Sequence, residues 1–192
     1  MTAPAPPVVA SMDAVLAARA SAGDAKAFRQ IYERYAPSVF RFLADMLRSQ
    51  SAADEATQET FVRAHGRMAG IRDGEKLLAW LFGIARNVAF ETLRKGKRDY
   101  PADDSILETR VADAPGPEQE LLGREADQVL DSALGLLSPE RRAALLMFMD
   151  HGLSYGEIGT SLGWSLAKVK IEIHRARLAL RQELSEYLGE RT

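Results

Sequence analysis

Residues 138–184 read SPERRAALLMFMDHGLSYGEIGTSLGWSLAKVKIEIHRARLALRQEL, and the punctuation in this stretch predicts a helix-turn-helix whose last helix runs on toward the C-terminus. Ser138-Pro139-Glu140 opens the first helix, because the N–H that proline lacks has no intrahelical partner in the first turn anyway. That helix turns Ala144, Leu145, Phe148 and Met149 inward and stops at His151-Gly152. Ser154-Tyr155-Gly156-Glu157 has capping-box spacing, so its hydroxyl and carboxylate can satisfy two free backbone donors of a short second helix. Gly163 ends the second helix, and Ser165 caps a third that runs to about Leu188.

At about 100° per residue, Leu166, Val169, Ile173, Ala176 and Leu180 form the buried stripe of the third helix. Lys168, Lys170, Ile171, His174 and Arg175 spread across the other side. Such a face offers cations to phosphates, donors to base edges and one apolar group to a thymine methyl. Two helices joined by a short glycine-containing turn form the unit that lays its second member in the major groove. A bundle helix with a solvated outer face would carry the same charges, so the face alone does not decide.

The chain has 192 residues, a length for one or two domains. Periodicity is helical almost throughout, and the expected fold is all-α, with two small helical domains. There are no cysteines, which excludes disulfides and thiolate metal sites and suits a reducing cytoplasm. No apolar run approaches the ~20 residues of a membrane span, so no membrane insertion is expected. Residues 1–11 read as a loose tail, Ala/Pro/Val-rich and without the basic start of a signal peptide. The net charge of −2 does not favour a simple DNA binder.

The first compact block spans residues 12–98. Asp24 caps a helix through Tyr35, with Phe28, Ile31, Tyr32 and Tyr35 at core spacing. Pro37 restarts the chain into a second helix carrying Val39, Phe40, Leu43, Met46 and Leu47. Ser51 to Asp54 reads as a capping box for a helix to about His65, whose exposed face holds Asp54, Glu55, Gln58 and Glu59. Like charges at i, i+4 give that helix nothing internally, so the face is either solvated or a dock for a basic partner. A loop over residues 66–74 is broken by Gly66, Gly70 and Gly74. The next helix, 75–94, buries Leu77, Leu81, Ile84, Ala85, Val88 and Thr92. Beside them Trp80, Gly83, Asn87 and Arg94 line a strip leading into Arg94-Lys95-Gly96-Lys97-Arg98. A ring, an amide and a guanidinium in line suit an unpaired nucleic-acid strand; Trp80 as a plain core residue is the other reading.

Residues 99–118 change character, with Asp103, Asp104, Glu108, Asp113 and Glu118 among Pro101, Pro115, Gly116 and Pro117. This reads as a flexible acidic linker, and it accounts for the mildly acidic total. A helix over 119–137 then opens the second domain, 119–192.

Asp54-Glu55-Ala56-Thr57-Gln58-Glu59-Thr60-Phe61-Val62-Arg63-Ala64 resembles the core-polymerase-binding segment of the extracytoplasmic-function sigma factors of bacterial RNA polymerase. Trp80-Leu81-Phe82-Gly83-Ile84-Ala85-Arg86-Asn87 is similar to that family's −10-melting segment. Leu137-Ser138-Pro139-Glu140-Arg141-Arg142, Gly152-Leu153-Ser154-Tyr155-Gly156-Glu157-Ile158 and His174-Arg175-Ala176-Arg177 resemble its −35-reading domain. The resemblance implies that Asp54, Glu55, Gln58 and Glu59 dock on the β′ clamp of core polymerase, with the β flap as a second contact. It implies that the 66–74 loop cups a flipped base, at an unstacking cost of a few kcal/mol, that Asn87 touches the single strand, and that Trp80 and Arg94 belong to the −10 surface. Tyr155, Lys168, Lys170, Ile171, His174 and Arg175 are implied at the −35 element, the linker is implied to thread toward the polymerase active-site channel, and an anti-sigma factor is implied as regulator. No cofactor, metal or catalytic residue is implied, and His65, His151 and His174 lie on separate elements with no nucleophile or metal-ligand spacing.

The chain departs from the family pattern in three places. Where Gly-Thr-Val-Lys-Ser-Arg is common, it has Ala167-Lys168-Val169-Lys170-Ile171-Glu172; Glu172 can pair with Lys168 or Arg175, or accept from cytosine N4 and alter −35 preference. His65 stands where tryptophan is common, and Glu91 falls on the strand-facing side of the −10 helix. Two rival functions are a sigma mimic that titrates an anti-sigma factor without binding DNA, and a conventional helix-turn-helix regulator, which would need an effector pocket or dimer helix.

Overall fold

The computed structural model describes residues 11–71, 74–99 and 132–189. Among these residues every regular element is helical. The N-terminal lobe consists of α1 (Met12–Ser21), α2 (Ala25–Leu47), α3 (Gln50–Arg67) and α4 (Leu77–Asp99), with 3-10 turns at Met68–Gly70 and Gly74–Lys76 between the last two. The C-terminal lobe consists of α5 (Pro139–Met149), α6 (Tyr155–Leu162) and α7 (Leu166–Gly189), preceded by a helical turn at 132–135. The expected linker and most of the expected 119–137 helix lie outside the described residues.

Local capping sets most of the boundaries. The Asp24 carboxylate accepts from the N–H groups of Lys26 and Ala27 and starts α2. Ser49, not Ser51, caps α3 by accepting from Ala52 N–H, because Arg48 in the left-handed region (φ 57°) ends α2 and leaves Ser49 extended. The predicted break at Pro37 does not occur, and α2 is continuous through it. An internal proline costs about 3 kcal/mol. Ile31 and Tyr35 before it and Val39, Phe42 and Leu43 after it are all buried against one core, and at about 1.5–3 kcal/mol each they outweigh that cost.

In the C-terminal lobe the Ser138 cap, the Ser154–Glu157 capping box and the left-handed Gly163 stop (φ 67°) all form as read. Gly159 allows α6 to approach the turn: a Cβ there would lie 2.8 Å from the Trp164 carbonyl oxygen. Val169, Ile173 and Ala176 form the buried stripe of α7, and Leu180 packs at its margin. Leu166 and Met149, both read as core, are 52% and 56% exposed, since each sits at a helix end that the lobe does not cover.

The lobes do not stand apart. α4 packs on α6 and α2 on α5, and the buried residues of both lobes form one continuous apolar cluster. The His151 ring lies 4.6 Å from Phe82 and 6.1 Å from Phe42. The buried Arg142 side chain donates to Leu134 and Gly135 in its own lobe and, at 2.9 Å, to the Met46 carbonyl at the end of α2. Cations suit this position, where the last carbonyls of a helix lack partners and its dipole is negative.

Candidate nucleic-acid and polymerase interfaces

Three surfaces carry the residues picked out in the sequence. On α7, Lys170, Ile171, His174 and Arg175 are all exposed on the side opposite Val169 and Ile173. Ile171, half exposed, stands among cations as an apolar group that folding has left uncovered. Lys168 is exposed, but its ammonium sits 4.3 Å over the Trp164 ring, which holds it near the start of the helix. Tyr155 stacks on Phe148 at 4.9 Å, and Arg177 covers that ring too, so Tyr155 presents an edge fixed by packing.

Glu172 does not join this face, and it does not pair with Lys168. Its carboxylate accepts from Arg141 Nε at 2.8 Å and from Arg175 Nη1 at 3.1 Å, with its side chain only 16% exposed. The Arg141 hydrogen bond, aided by the charges of Arg141 and Arg175, lowers its pKa below the ordinary carboxylate value. Glu172 therefore ties α7 to α5 and steadies Arg175, and each of its oxygens accepts from one guanidinium. Bracing is the role this geometry favours over reading a cytosine.

The second surface is the strip on α4. Trp80 is half-buried and packs against the core, as the plain reading of it expected, while Asn87 and Arg94 are exposed. Arg94 Nε donates to the Phe90 carbonyl one turn back. Glu91 is no repulsive intruder on this side: Arg63 of α3 binds both its oxygens at 2.8 Å and also reaches Glu59. That fork holds the Glu91 carboxyl below its ordinary range and the Arg63 guanidinium above its own. His65 packs edge-on against Phe28 at 4.9 Å and lies away from the strip. The strip borders a cleft of about 820 Å³ to which Arg48, Arg63, Arg67 and Arg86 also contribute. The sequence reading missed these arginines because they come from three helices and share no period.

The third surface is the outer face of α3, where Asp54, Glu55, Gln58 and Glu59 are all exposed. Beside it Phe28, Tyr32, Phe61 and Val62 border a shallow apolar hollow, with Val62 67% exposed. Exposed carboxylates thus stand next to apolar side chains that folding has left partly uncovered, Val62 and Tyr32 above all. Among the described residues there is no group of His, Asp or Glu able to hold a metal ion and no helix long and apolar enough to cross a membrane.

Residues 31–99 match the family described as Sigma-70 region 2, and residues 127–180 match Sigma-70, region 4. The sequence is 30% identical over 172 residues to the ECF RNA polymerase sigma factor SigW of Bacillus subtilis, covering 85% of this chain and 92% of that one. The chain belongs to the extracytoplasmic-function sigma factors. SigD of Mycobacterium tuberculosis, also named as an ECF RNA polymerase sigma factor, is 34% identical over 182 residues, 90% of this chain and 84% of that protein. Among solved structures, CnrH in complex with the cytosolic domain of CnrY superposes with a TM-score of 0.67 at 26% identity, over 91% of this chain and 97% of that one. RpoE bound to the anti-sigma factor NepR, from Bartonella quintana, gives 0.68 at 27% identity, over 83% and 98%. Membership makes the chain a promoter-recognising initiation factor and not an enzyme. It also gives the two lobes their assignments: region 2 lies on α2 to α4, and region 4 covers the helix-turn-helix.

Proposed function

We propose a division of labour among the three surfaces. Asp54, Glu55, Gln58 and Glu59, with the apolar hollow beside them, dock on the β′ clamp of core polymerase, and the C-terminal lobe adds a contact with the β flap. Trp80, Asn87 and Arg94 take the opened −10 strand, the ring supporting the junction while amide and guanidinium follow bases and backbone. Lys170, Ile171, His174 and Arg175 enter the −35 major groove, with Tyr155 and Lys168 on flanking phosphates. The domain limits that accompany this reading are 12–98, 99–118 and 119–192. The setting is the cytoplasm, where an anti-sigma factor restrains the chain, as the two solved relatives are held by partners.

The observation that carries the proposal is the uncovered face of α7, with Ile171 exposed between Lys170, His174 and Arg175 opposite a fully buried stripe. The test uses holoenzyme on one promoter. Lys170→Ala should reduce −35 protection and leave strand opening on a pre-melted template intact; Asn87→Ala should do the reverse. Asp54→Lys with Glu55→Lys should abolish assembly with core. Equal behaviour of the first two variants in both assays would remove the division of labour.

A further inference from the structure

The cleft beside the α4 strip concentrates a positive charge that the chain as a whole lacks. Six arginines line it against two glutamates, Glu91 and Glu140, although the net charge of the chain is −2. Two of the six are spent locally, Arg63 on Glu59 and Glu91 and Arg142 on three backbone carbonyls. Among the described residues no ion pair engages the other four, Arg48, Arg67, Arg86 and Arg94. The Nε atoms of Arg48 and Arg86 are buried without an acceptor from the protein. Burial lowers the pKa of Arg86, opposed by the Glu140 charge. Arg48 is also held in the left-handed region at φ 57°, which is uncommon for a residue other than glycine. Its guanidinium fits because position 135 is glycine: a Cβ there would lie 2.8 Å from Arg48 Nη1.

We propose that this cleft is a binding site for a nucleoside polyphosphate, its phosphates among the four uncompensated arginines and its base against the apolar lining. The planar fork of a guanidinium matches two phosphate oxygens, and low-dielectric walls strengthen the field of such a cluster. One phosphate group would leave most of four guanidiniums uncompensated, whereas a chain of phosphates spreads charge over all of them. Ile84, Leu93, Leu137 and Pro139 give a planar ring apolar surface, while the Phe90 ring already carries Arg86 at 4.9 Å. The volume of about 820 Å³ falls within the roughly 300–1,000 Å³ of small-molecule sites. Gly135, Leu137 and Pro139 wall the side facing α4, so the space suits a compact ligand better than the open track along which a strand runs. Asn87 and Arg94 belong to the cleft and to the strip alike. A filled cleft therefore competes with the −10 strand, a consequence that rests on the assignment of the strip made above.

Isothermal titration of the full-length chain with ATP and with GTP, at fixed ionic strength, should show one saturable site per chain. Both should bind about tenfold or more tightly than AMP, which offers one phosphate to the arginines. Arg48→Gln and Arg67→Gln should each weaken ATP binding about tenfold. Gly135→Ala, which only displaces the Arg48 guanidinium, should weaken it as well, and Glu140→Gln should strengthen it. Arg29→Gln, remote from the cleft and paired with Glu33, should leave it unchanged; thermal unfolding checks that every variant is folded. Absence of a saturable site, equal affinity for ATP and AMP, or wild-type binding by Arg48→Gln, Arg67→Gln and Gly135→Ala overturns the proposal. So does a cleft that takes a labelled random single strand, with the same arginine dependence, but neither nucleotide. Displacement of that strand by ATP, read by anisotropy, supports both the site and the competition. ATP binding without displacement keeps the site and counts against the strip as the −10 surface.

Discussion

Glu172→Gln keeps the shape of the side chain and removes the charge that ties α7 to α5. In the structure Glu172 accepts from Arg141 and Arg175 at 2.8 and 3.1 Å. A hydrogen bond involving a charged group contributes about 1.5–3 kcal/mol. Arg141 is 32% and Arg175 59% exposed, which moves the value toward the 0–1 kcal/mol of surface pairs. The expected loss is about 1–2 kcal/mol, or about 2–8 °C in Tm for a chain of this size. The pH dependence has a definite sign. The folded Glu172 pKa is depressed from 4.5, so its contribution is complete above that value and disappears as the pH falls through the lower folded value. Calorimetry of wild type and variant should therefore show a Tm gap at neutral pH that narrows below pH 4.5. Arg141→Gln combined with Glu172→Gln should cost less than the sum of the single changes. Equal Tm values at neutral pH, together with a −35 preference changed at a cytosine, would refute the bracing role and restore base reading.

Arg142→Met should cost about 2–4 kcal/mol of stability, because three carbonyls lose a buried donor; a Tm unchanged within 1 °C would contradict this. Burial lowers the pKa of His151 below 6.5, with Asp150 raising it and Arg41 lowering it further. Unfolding exposes His151 and lets it take a proton, so the stability contributed by the neutral buried ring should be complete above about pH 6.5 and fall as the pH drops toward the lower folded value. Thermal unfolding on either side of that pH reads this directly, and His151→Phe should reduce the dependence. Arg63→Met should cost about 0.5–1.5 kcal/mol by opening the α3–α4 fork to Glu91 and Glu59, measured by urea unfolding.

What was legible in the sequence was what local chemistry decides. Ser138, Ser154, Glu157 and Gly163 bound their helices through neighbours three or four residues away. The recognition face of α7 follows from the period of Val169, Ile173 and Ala176. Pro37 misled because a local cost of a few kcal/mol was set against burial that only the folded lobe supplies. The pairing of Glu172 with Arg175, three residues on, was legible, whereas Arg141 beside Glu172, Arg63 beside Glu91 and the Met46 carbonyl at Arg142 were hidden, each across an interhelical gap and 28 to 96 residues away in sequence. The contact of Gly83 with Ser161 depends on how two lobes meet, and no periodicity within either one records it.

If α4 and α7 are the surfaces through which this chain selects promoters for core polymerase, transcription itself should depend on both. The most direct measurement is run-off transcription by purified core polymerase, with and without the full-length chain, on a library of promoter fragments. Initiation is expected at a discrete set of fragments, requires the chain and is lost with either Asn87→Ala or Lys170→Ala. Initiation at the same fragments without the chain, or a chain that neither joins core nor starts RNA on any fragment, would contradict it.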